Sequence, residues 1–375
     1  MSKYYIIAGE ASGDVHAANL MKRLKARDKD AVFRFWGGDK MAMEGGEPVR
    51  HINELAFMGF WEVFVNLRTI LQNLRFCKRD ISAWNPDVII LVDYPGFNLR
   101  IAEYAHKQGI RVIYYISPQI WAWKQSRIKK IKRVVDKMLV ILPFEKDFYA
   151  RFDYPVSFPG NPLLDEIVPV RNNPEFAGFR KAHNLSDKPI VAVLPGSRKQ
   201  EISRKLLDMA AMADFFPDYQ FVVAAVSAHN KDFYMQYTGD ATITLVYDHT
   251  YALLANAEAA LVASGTAALE TALFNVPQVV CYKANKISYQ IARRLVKIKY
   301  ISLVNPIMDK PVVREMIQDE FNREALRDEL DRLLYNSTYR SRMQEDYRHL
   351  ENMLGGEGAS DRAAREITEF IGIEG

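Results

Sequence analysis

The ten residues Leu261-Val262-Ala263-Ser264-Gly265-Thr266-Ala267-Ala268-Leu269-Glu270 join an apolar strand to a helix through a turn of small residues. The turn Ser264-Gly265-Thr266 would let the backbone approach an anion, because a helix start presents unpaired N–H groups and a partial positive charge. Glu270, one turn into the helix, is placed to accept hydrogen bonds from two ribose hydroxyls. The segment favours a nucleotide site, although an ordinary Ser/Thr helix cap has the same pattern.

A second strand-to-turn segment has the same character. It reads Val191-Ala192-Val193-Leu194-Pro195-Gly196-Ser197-Arg198. Gly196 and Ser197 would admit a diphosphate, and Arg198 would neutralise it. No Gly-Lys-Ser/Thr follows and no G-x-G-x-x-G occurs, so NTP hydrolysis and dinucleotide binding are disfavoured. Two such turns in one half of the chain indicate a nucleotide-sugar.

Short apolar runs alternate with helical periods along most of the chain, which is typical of parallel β-α-β units. The predicted strands are 4–8, 33–36, 88–92, 112–116, 138–142, 189–194, 221–224, 243–246, 259–262 and 278–282. The pattern pauses at a Pro/Asn/Asp-rich stretch around 158–188, and after Val312 charged amphipathic helices replace strands. We therefore predict an α/β protein with two Rossmann-like doubly wound lobes, 1–165 and 185–340, facing across a crevice. A helical tail, 341–375, would pack back on the N-terminal lobe or on a partner chain. In the second case the protein would form a homodimer through this tail.

Bulk composition limits the class of protein. The 375 residues are 49% hydrophobic, enough for two cores. The formal net charge of +4 is too small to predict nucleic-acid binding. Cys77 and Cys281 lie far apart without a CxxC partner, which predicts neither a disulfide nor a zinc site and fits a reducing cytoplasm. With no signal-peptide pattern and no apolar run long enough to span a bilayer, we expect a soluble or peripheral protein.

The candidate general base is Asp93, which follows the fully apolar strand 88–92. Ligands of open α/β sheets bind beyond the carboxyl ends of the strands, so Asp93 would face the crevice. Half enclosed by Tyr94 and Phe97, its carboxyl would have a raised pKa and could take a proton from an acceptor hydroxyl. The alternative is a structural Asp that binds N–H groups of the Pro-Gly turn that follows.

Two further strand ends supply candidates for acceptor binding. The first is Gly9-Glu10-Ala11-Ser12-Gly13-Asp14, in which Gly9, Glu10, Ser12, Gly13 and Asp14 would contact the acceptor. Asp14 could instead cap a helix. The second is Ser117-Pro118-Gln119-Ile120-Trp121-Ala122-Trp123, where Gln119 and Trp121 would suit a sugar, although paired tryptophans also occur in ordinary packing.

Metal-dependent sugar transferases commonly place a cation on an Asp-x-Asp pair, and Asp28-Lys29-Asp30 matches that pattern. The pair follows a predicted helix and precedes a strand, so it would lie at the amino end of the sheet, away from the ligand. We therefore expect no metal and no other cofactor. Arg198 and helix N-termini would neutralise the leaving diphosphate instead.

The segment 60–76 carries more apolar residues than one buried stripe requires, and Arg68, Arg75, Lys78 and Arg79 lie within or after it. Excess apolar area beside cations is typical of a membrane interface. A well-buried crossover helix is the alternative. The membrane-associating side chains would be Phe60, Trp61, Phe64, Leu67, Leu71 and Leu74.

Over nearly its whole length the chain resembles the lipid-A-disaccharide synthases, two-lobed glycosyltransferases of the GT-B type. The matching segments, in chain order, are Ala8-Gly9-Glu10-Ala11-Ser12-Gly13-Asp14, Met58-Gly59-Phe60, Val92-Asp93-Tyr94-Pro95-Gly96-Phe97-Asn98, Ser117-Pro118-Gln119-Ile120-Trp121-Ala122-Trp123, Leu142-Pro143-Phe144-Glu145-Lys146, Leu194-Pro195-Gly196-Ser197-Arg198, Ala263-Ser264-Gly265-Thr266-Ala267-Ala268-Leu269-Glu270 and Tyr300-Ile301-Ser302-Leu303-Val304-Asn305.

The resemblance implies transfer of 2,3-diacylglucosamine from UDP to 2,3-diacylglucosamine 1-phosphate, giving a β-1,6 disaccharide and UDP. It implies that Asp93 and Arg198 are essential and that Glu270 and Asn305 bind the donor. It also implies a cytoplasmic enzyme, peripheral on the inner membrane of a Gram-negative bacterium. The sequence departs from the resemblance at Gly160-Asn161-Pro162, because the family usually has His after the glycine.

Two other functions fit parts of the pattern. A UDP-sugar 2-epimerase has similar lobes and a similar nucleotide site, but it would not need the apolar segment 60–76. A nucleotide-sugar-binding membrane scaffold would not need a base such as Asp93.

Overall fold

The computed structural model describes residues 2–54, 67–239, 241–285, 289–290 and 299–373, with Leu67 described by its backbone alone. The strands in this part of the chain are β1 Lys3–Ala8, β2 Val32–Gly37, β3 Glu47–His51, β4 Val88–Val92, β5 Arg111–Tyr115, β6 Lys137–Leu139, β7 Ile190–Leu194, β8 Gln220–Ala225, β9 Ile243–Tyr247, β10 Ala257–Ala263, β11 Gln278–Tyr282 and β12 Arg314–Ile317.

The α-helices between and after these strands are Ala11–Arg27, Asp39–Met43, Leu67–Trp84, Pro95–Lys107, Ile128–Val134, Glu145–Ala150, Leu163–Ile167, Phe179–Ala182, Lys199–Ala210, Lys231–Met235, Thr250–Ala255, Thr266–Leu273, Val304–Met308, Arg323–Tyr335, Ser337–Met353 and Ala359–Ile371. Short 3-10 helices occupy Ile52–Glu54, Gln125–Arg127, Pro174–Gly178, Ala211–Asp214 and Gln318–Glu320.

The strands form two parallel sheets of the same topology. The first has the order β3-β2-β1-β4-β5-β6, and the second has the order β9-β8-β7-β10-β11-β12. In each sheet the strand order reverses direction between the first and fourth strands, and ligands of doubly wound sheets bind at that point. The prediction of two Rossmann-like doubly wound lobes is confirmed.

The strand register at these two reversal points brings together the loops that follow the paired strands. Ala8 of β1 pairs with Val92 of β4, so Gly9 and Asp93 leave the first sheet side by side. Leu194 of β7 pairs with Val262 of β10, so the loops that begin at Pro195 and Ala263 leave the second sheet together. The fold thus brings together, within each sheet, segments about 70 to 85 residues apart in sequence.

The described chain divides into two compact units. Residues up to Pro162 and those from Leu354 onward form the first unit, and Leu163–Met353 forms the second. Successive side chains of β1 point to opposite faces of the first sheet. Tyr5 and Ile7 pack in one apolar core, while Tyr4 and Ile6 pack in the other.

The C-terminal helices divide between the two units. Ala359–Ile371 packs on Ala11–Arg27 in the first unit, where Ile367 is buried and Arg27 Nη2 lies 2.7 Å from Asp361 Oδ2. The helix Ser337–Met353, most of which we assigned to the tail, lies in the second unit instead. The second unit therefore ends at Met353, and not at residue 340, where we predicted that the tail begins.

The edge strands β3 and β12 escaped prediction. β3 is exposed or half-buried throughout, and β12 has one fully buried residue, Met316. Edge strands bury little, so their sequences need not carry the apolar runs that reveal central strands. Among the helices that the structure describes, none combines the length and apolar content needed to cross a bilayer.

Candidate active site

Asp93 lies in a strained turn between β4 and the helix Pro95–Lys107. Asp93 and Tyr94 both adopt left-handed backbone conformations, with φ of 45° and 48°. Such conformations are costly for residues other than glycine and persist where the surroundings enforce them. Here the carbonyl of Asp93 accepts hydrogen bonds from Asn98 Nδ2 at 2.7 Å and from the Tyr114 hydroxyl at 2.6 Å. These two side chains thus hold the Asp93 backbone through its carbonyl oxygen.

Burial, and to a smaller extent the negative charge of Glu10, raise the pKa of the Asp93 carboxyl to about 7. A hydrogen bond from the Tyr94 N–H and the charge of His16 act in the opposite direction. A carboxylate with a pKa near neutrality is suited to take a proton at physiological pH. The arrangement therefore has the chemistry expected of a general base.

Gly9 is required by the neighbouring tyrosine. A Cβ at position 9 would overlap the ring of Tyr94, so only glycine lets that ring lie against the end of β1. Tyr94 in turn stacks on Phe97, with ring centroids 5.6 Å apart. This packing places the predicted acceptor residue Gly9 directly beside the Asp93 turn.

The other predicted acceptor residues after β1 divide between surface and core. Glu10 is half-buried and precedes the helix Ala11–Arg27, Ser12 is exposed, and Gly13 is buried against Ala8. Glu10 and Ser12 therefore remain candidates for contact with the acceptor, whereas Gly13 serves close packing of helix on strand.

Asp14 has a structural role that the prediction missed. It is buried, and its carboxylate accepts hydrogen bonds from the N–H groups of Gly38, Lys40 and Met41 at 2.7, 3.0 and 3.1 Å. It thus caps the helix Asp39–Met43, not the helix in which it lies. The assignment of Asp14 to the acceptor is therefore withdrawn.

The loop after β5 is anchored by a buried carboxyl, Glu145. Its oxygens accept hydrogen bonds from the Ser117 hydroxyl and from the N–H groups of Ile141 and Leu142, the latter two at 3.2 and 3.0 Å. Burial raises the pKa of Glu145 to about 7, against the lowering effect of these bonds. Gln119 is exposed and Trp121 half-buried, so both remain available to a ligand.

Asn161 is buried beside the same network. Its Nδ2 donates to the carbonyl of Ile141 at 3.1 Å, and its backbone N–H donates to Leu354 at 2.9 Å. The side chain therefore helps to join the segment around residue 160 to the returning chain at residue 354.

In the second unit, Gly196 and Arg198 form the loop between β7 and the helix Lys199–Ala210. Gly196 has φ of 102°, a conformation that favours glycine. Arg198 precedes the helix, has a side chain 59% exposed, and lies 3.5 Å from Glu201, measured from Nη1 to Oε1. The carbonyl of Ser197 lies 3.0 Å from His229 Nε2. A mostly exposed guanidinium beside a glycine turn is suited to bind a diphosphate.

The second loop of this unit leads into the helix Thr266–Leu273. Gly265 has φ of 132°, with open space where a Cβ would be. Ser264 is half-buried, Thr266 is exposed, and Glu270 is half-buried one turn into the helix. The glycine turn and helix start have the geometry predicted for an anion site, next to the Arg198 loop.

Asn305 does not have the environment of a ligand-binding residue. It is buried, its Nδ2 donates to Val313 and Glu315, and its Oδ1 accepts from the Val313 N–H, all at 2.9 Å. Glu315 also accepts hydrogen bonds from Ile301 and Ser302. Since the amide is fully used within the lobe, we withdraw Asn305 as a donor ligand.

Sequence analysis missed four residues that shape these loops: Asn98, Tyr114, Glu145 and His229. Asn98 and Glu145 lie inside segments that carried the family resemblance, and that placement was the available signal. His229 follows β8, which neighbours β7, so its contact with Ser197 depends on sheet order.

The predicted membrane segment is described in part. Phe60, Trp61 and Phe64 fall outside the described residues, as does the side chain of Leu67. Leu71 is 44% exposed, whereas Leu74 is 6% exposed and packs in the core, so the prediction that Leu74 faces lipid is wrong. Leu71 and Leu74 line a cavity of about 420 Å³, whose other lining residues are four cationic side chains, one acidic and one aromatic: Arg75, Lys78, Arg100, Lys107, Glu103 and Tyr104.

The Asp-x-Asp pair lies where its sequence position predicted, between the helix Ala11–Arg27 and β2. Asp28 is buried and accepts a hydrogen bond from the Tyr4 hydroxyl at 2.9 Å. Its position is therefore at the amino end of the sheet. In the part of the chain that the structure describes, no group of three or more His, Cys, Asp or Glu side chains is placed to hold a metal ion.

Comparison with known proteins gives one family. The model of the lipid-A-disaccharide synthetase family matches residues 4–368. A lipid-A-disaccharide synthase of Trichlorobacter lovleyi is 39% identical over 372 residues, covering 98% of this chain and 97% of the relative. The corresponding enzyme of Myxococcus xanthus is 38% identical over 374 residues, with the same coverage.

Solved structures support the fold. A UDP-GlcNAc 2-epimerase from Neisseria meningitidis, solved with UDP-GlcNAc, superposes with a TM-score of 0.70 at 12% identity, covering 98% of this chain and all of that one. A glycotransferase of kitacinnamycin gives 0.67 at 14% identity, with 99% of both chains covered. At such identities the likeness concerns the two-lobed architecture alone.

Proposed function

We propose the following function on the premise that the chain belongs to the lipid-A-disaccharide synthetase family, since the family match spans nearly its whole length. The protein is a hexosyltransferase that joins UDP-2,3-diacylglucosamine to 2,3-diacylglucosamine 1-phosphate. The products are the β-1,6-linked lipid A disaccharide 1-phosphate and UDP. The single observation that supports its chemistry best is the Asp93 carboxyl, whose pKa is raised to about 7 by burial at the reversal point of the first sheet.

The proposed reaction is a single in-line displacement. Asp93 takes the proton of the acceptor 6-hydroxyl as that oxygen attacks the anomeric carbon of the donor. The bond between that carbon and the diphosphate breaks, and its electron pair leaves with UDP. Displacement from the opposite face converts an α-linked donor into a β-linked product.

Arg198 and the start of the helix Thr266–Leu273 would stabilise the departing UDP. The guanidinium supplies a full positive charge, and the helix start supplies backbone N–H groups with a partial positive charge. Glu270 would accept the ribose hydroxyls. Because these groups can neutralise the diphosphate, we expect activity to persist in excess EDTA.

The acceptor would be held by the loops after β1 and β5. Gly9 and Glu10 lie beside the Asp93 turn, Ser12 is exposed in the first turn of the helix that follows, and Gln119 and Trp121 lie on the loop that Glu145 anchors. These residues combine carboxylate, hydroxyl, amide and indole groups, which suit a sugar phosphate. We keep them as the proposed acceptor residues.

We also propose that the enzyme is cytoplasmic and works at the surface of the inner membrane, through the segment 60–71. Leu71 is exposed, and Arg75, Lys78, Arg100 and Lys107 line the cavity beside it. Anionic lipid headgroups attract such a cationic surface, and apolar side chains enter the acyl boundary. Both substrates carry acyl chains, so this surface would also let them reach the enzyme without leaving the membrane.

A homodimer through the C-terminal tail remains a prediction. The buried face of the helix Ala359–Ile371 is used within its own chain. A dimer would therefore have to use the outer side, which includes the partly exposed Phe370. Sedimentation equilibrium of the purified protein tests this, and a monomer at all concentrations would exclude it.

Mass spectrometry of products tests the function as a whole. Purified protein is incubated with both lipid substrates, and we expect a disaccharide phosphate together with an equal amount of UDP. Conversion of the UDP-sugar to an isomer of the same mass, separated from the substrate by liquid chromatography before mass detection, would indicate a 2-epimerase. Binding of the UDP-sugar without any product would indicate a scaffold.

A further inference from the structure

Glu201 folds back over the glycine turn of the second unit. It lies in the first turn of the helix Lys199–Ala210, and a Cβ at position 196 would overlap its carboxylate. A Cβ added at position 196 would also lie only 3.1 Å from the Cβ of Glu201. Gly196 is thus needed both for its positive φ and for the space that the Glu201 side chain occupies.

The same carboxylate reaches Arg198. Glu201 Oε1 lies 3.5 Å from Arg198 Nη1, and the two side chains are 38% and 59% exposed. An ion pair this exposed adds little stability. The pair does place a carboxylate oxygen beside the Arg198 guanidinium, on a side chain that is 59% exposed overall.

Lys205 lies one turn further along this helix and is 4% exposed. Burial lowers the pKa of its ammonium group, and the charge of Glu201 acts in the opposite direction. Lysine is rarely buried to this extent unless an opposite charge is near. Glu201 and Lys205 are four residues apart on the helix, so they lie on the same face, and Glu201 is the nearby negative charge that opposes the effect of burial on the Lys205 pKa.

We propose that Glu201 is a positioning residue that holds Arg198 over the Gly196 turn, and that Lys205 offsets the charge of Glu201. Without Lys205, a carboxylate at this place would repel a diphosphate bound on the turn. This inference rests on the proposed function, because the diphosphate is that of the UDP-linked donor.

Glu201→Gln tests the positioning of Arg198. This variant keeps the positive charge of Arg198. We therefore expect the Kd for UDP, measured by isothermal titration calorimetry, to change by less than about threefold. Loss of orientation at the leaving group should lower kcat by about 10–100-fold. The control is Glu258→Gln, which removes an acid paired with Arg340 at the start of β10 and should leave both values unchanged. An unchanged kcat in E201Q would overturn the proposal.

A double-mutant cycle with Arg198→Ala separates positioning from a structural effect. If Glu201 acts through Arg198, adding E201Q to R198A should change the single-turnover rate by less than about twofold. If the losses instead multiply, Glu201 acts independently and the proposal is wrong. Melting temperatures are compared first. If E201Q does not fold, Glu201→Asp replaces it, since the shorter side chain keeps the charge but not the reach, and kcat should again fall.

Lys205→Met tests the charge offset. An uncompensated carboxylate beside the turn should weaken UDP binding by about 5–10-fold, and adding E201Q should restore it. A loss that E201Q does not restore would show that Lys205 serves packing alone. Failure of the proposed function is distinguishable from all of these results, because the wild-type protein would then neither bind UDP nor form disaccharide.

Discussion

At the scale of single residues, the properties of Asp93 depend on its neighbours. Asn98 and Tyr114 bind its carbonyl and enforce a left-handed turn, and burial with the nearby charge of Glu10 raises its pKa. The turn therefore fixes the carboxyl group and makes it basic enough to work near neutral pH. Two predictions follow from this combination.

Asp93→Asn should preserve the fold and lower kcat by roughly 10²–10⁴-fold, as expected when a general base is removed. In the wild-type enzyme, kcat/KM should fall tenfold per pH unit below about 7, because only the ionised carboxyl accepts a proton. The steady-state rates of both proteins from pH 5 to 9 check this. Near-normal turnover by D93N would remove Asp93 from the mechanism.

Asp93 should also make stability depend on pH. Its pKa is about 3.9 in an unfolded chain and about 7 in the folded one, so the folded state binds more protons between these values. Its contribution to stability is therefore present below pH 4 and is lost as pH rises through 7. The melting temperature of D93N minus that of the wild type should therefore increase from pH 4 to pH 8. A difference that does not vary with pH would contradict the raised pKa.

Arg198→Ala should weaken UDP binding and slow turnover together. The guanidinium would contact charge that is present in the bound donor and grows as UDP departs. Isothermal titration with UDP and steady-state kinetics measure the two effects. If both remain normal, the diphosphate binds elsewhere.

Sequence could identify these residues but could not always assign their roles. Asp14 and Asn305 looked like ligand residues because they lie in family motifs, yet backbone groups 24 to 27 and 8 residues away use their polar atoms. Such pairing depends on how distant segments meet. The raised pKa of Asp93, by contrast, was predictable, because an acid after an apolar strand and beside aromatic residues must be partly buried.

At the scale of elements, hydrophobic pattern predicted the central strands and two edge strands, β6 and β9, and missed the edge strands β3 and β12. β4 and β7 are buried throughout, so their sequences are continuous apolar runs. β3 and β12 are largely exposed and carry no such run. The helix Leu67–Trp84 has both a buried side, which includes Leu74, and an exposed side, which includes Leu71.

This difference between Leu71 and Leu74 gives a matched pair of variants. Leu71→Ser should weaken binding to anionic vesicles with little change in melting temperature, because it removes up to ~1.5–3 kcal/mol of apolar burial in lipid. Leu74→Ser should instead destabilise the first unit by ~2–5 kcal/mol, because it leaves a defect in a packed core. Vesicle sedimentation and thermal melts separate the two effects. Normal vesicle binding by L71S would show that this surface does not meet the membrane.

At the scale of the whole molecule, two sheets of one topology each place their polar loops at the point where strand order reverses. The first sheet presents the proposed base and the proposed acceptor residues, and the second presents the proposed donor residues. The sequence predicted this two-lobed plan because parallel β-α-β units recur along it. It could not fix which unit each C-terminal helix joins, since amphipathic helices with similar charge patterns can pack on either.

The most direct measurement is proton NMR of both lipid substrates as they react with the purified wild-type protein and with D93N in excess EDTA. We predict a β-1,6-linked disaccharide phosphate and one UDP per linkage from the wild-type protein, with D93N at least about 10²-fold slower. An α-linked product, equal rates for the two proteins, or a reaction that requires added Mg²⁺ would contradict a metal-independent single displacement with Asp93 as the base.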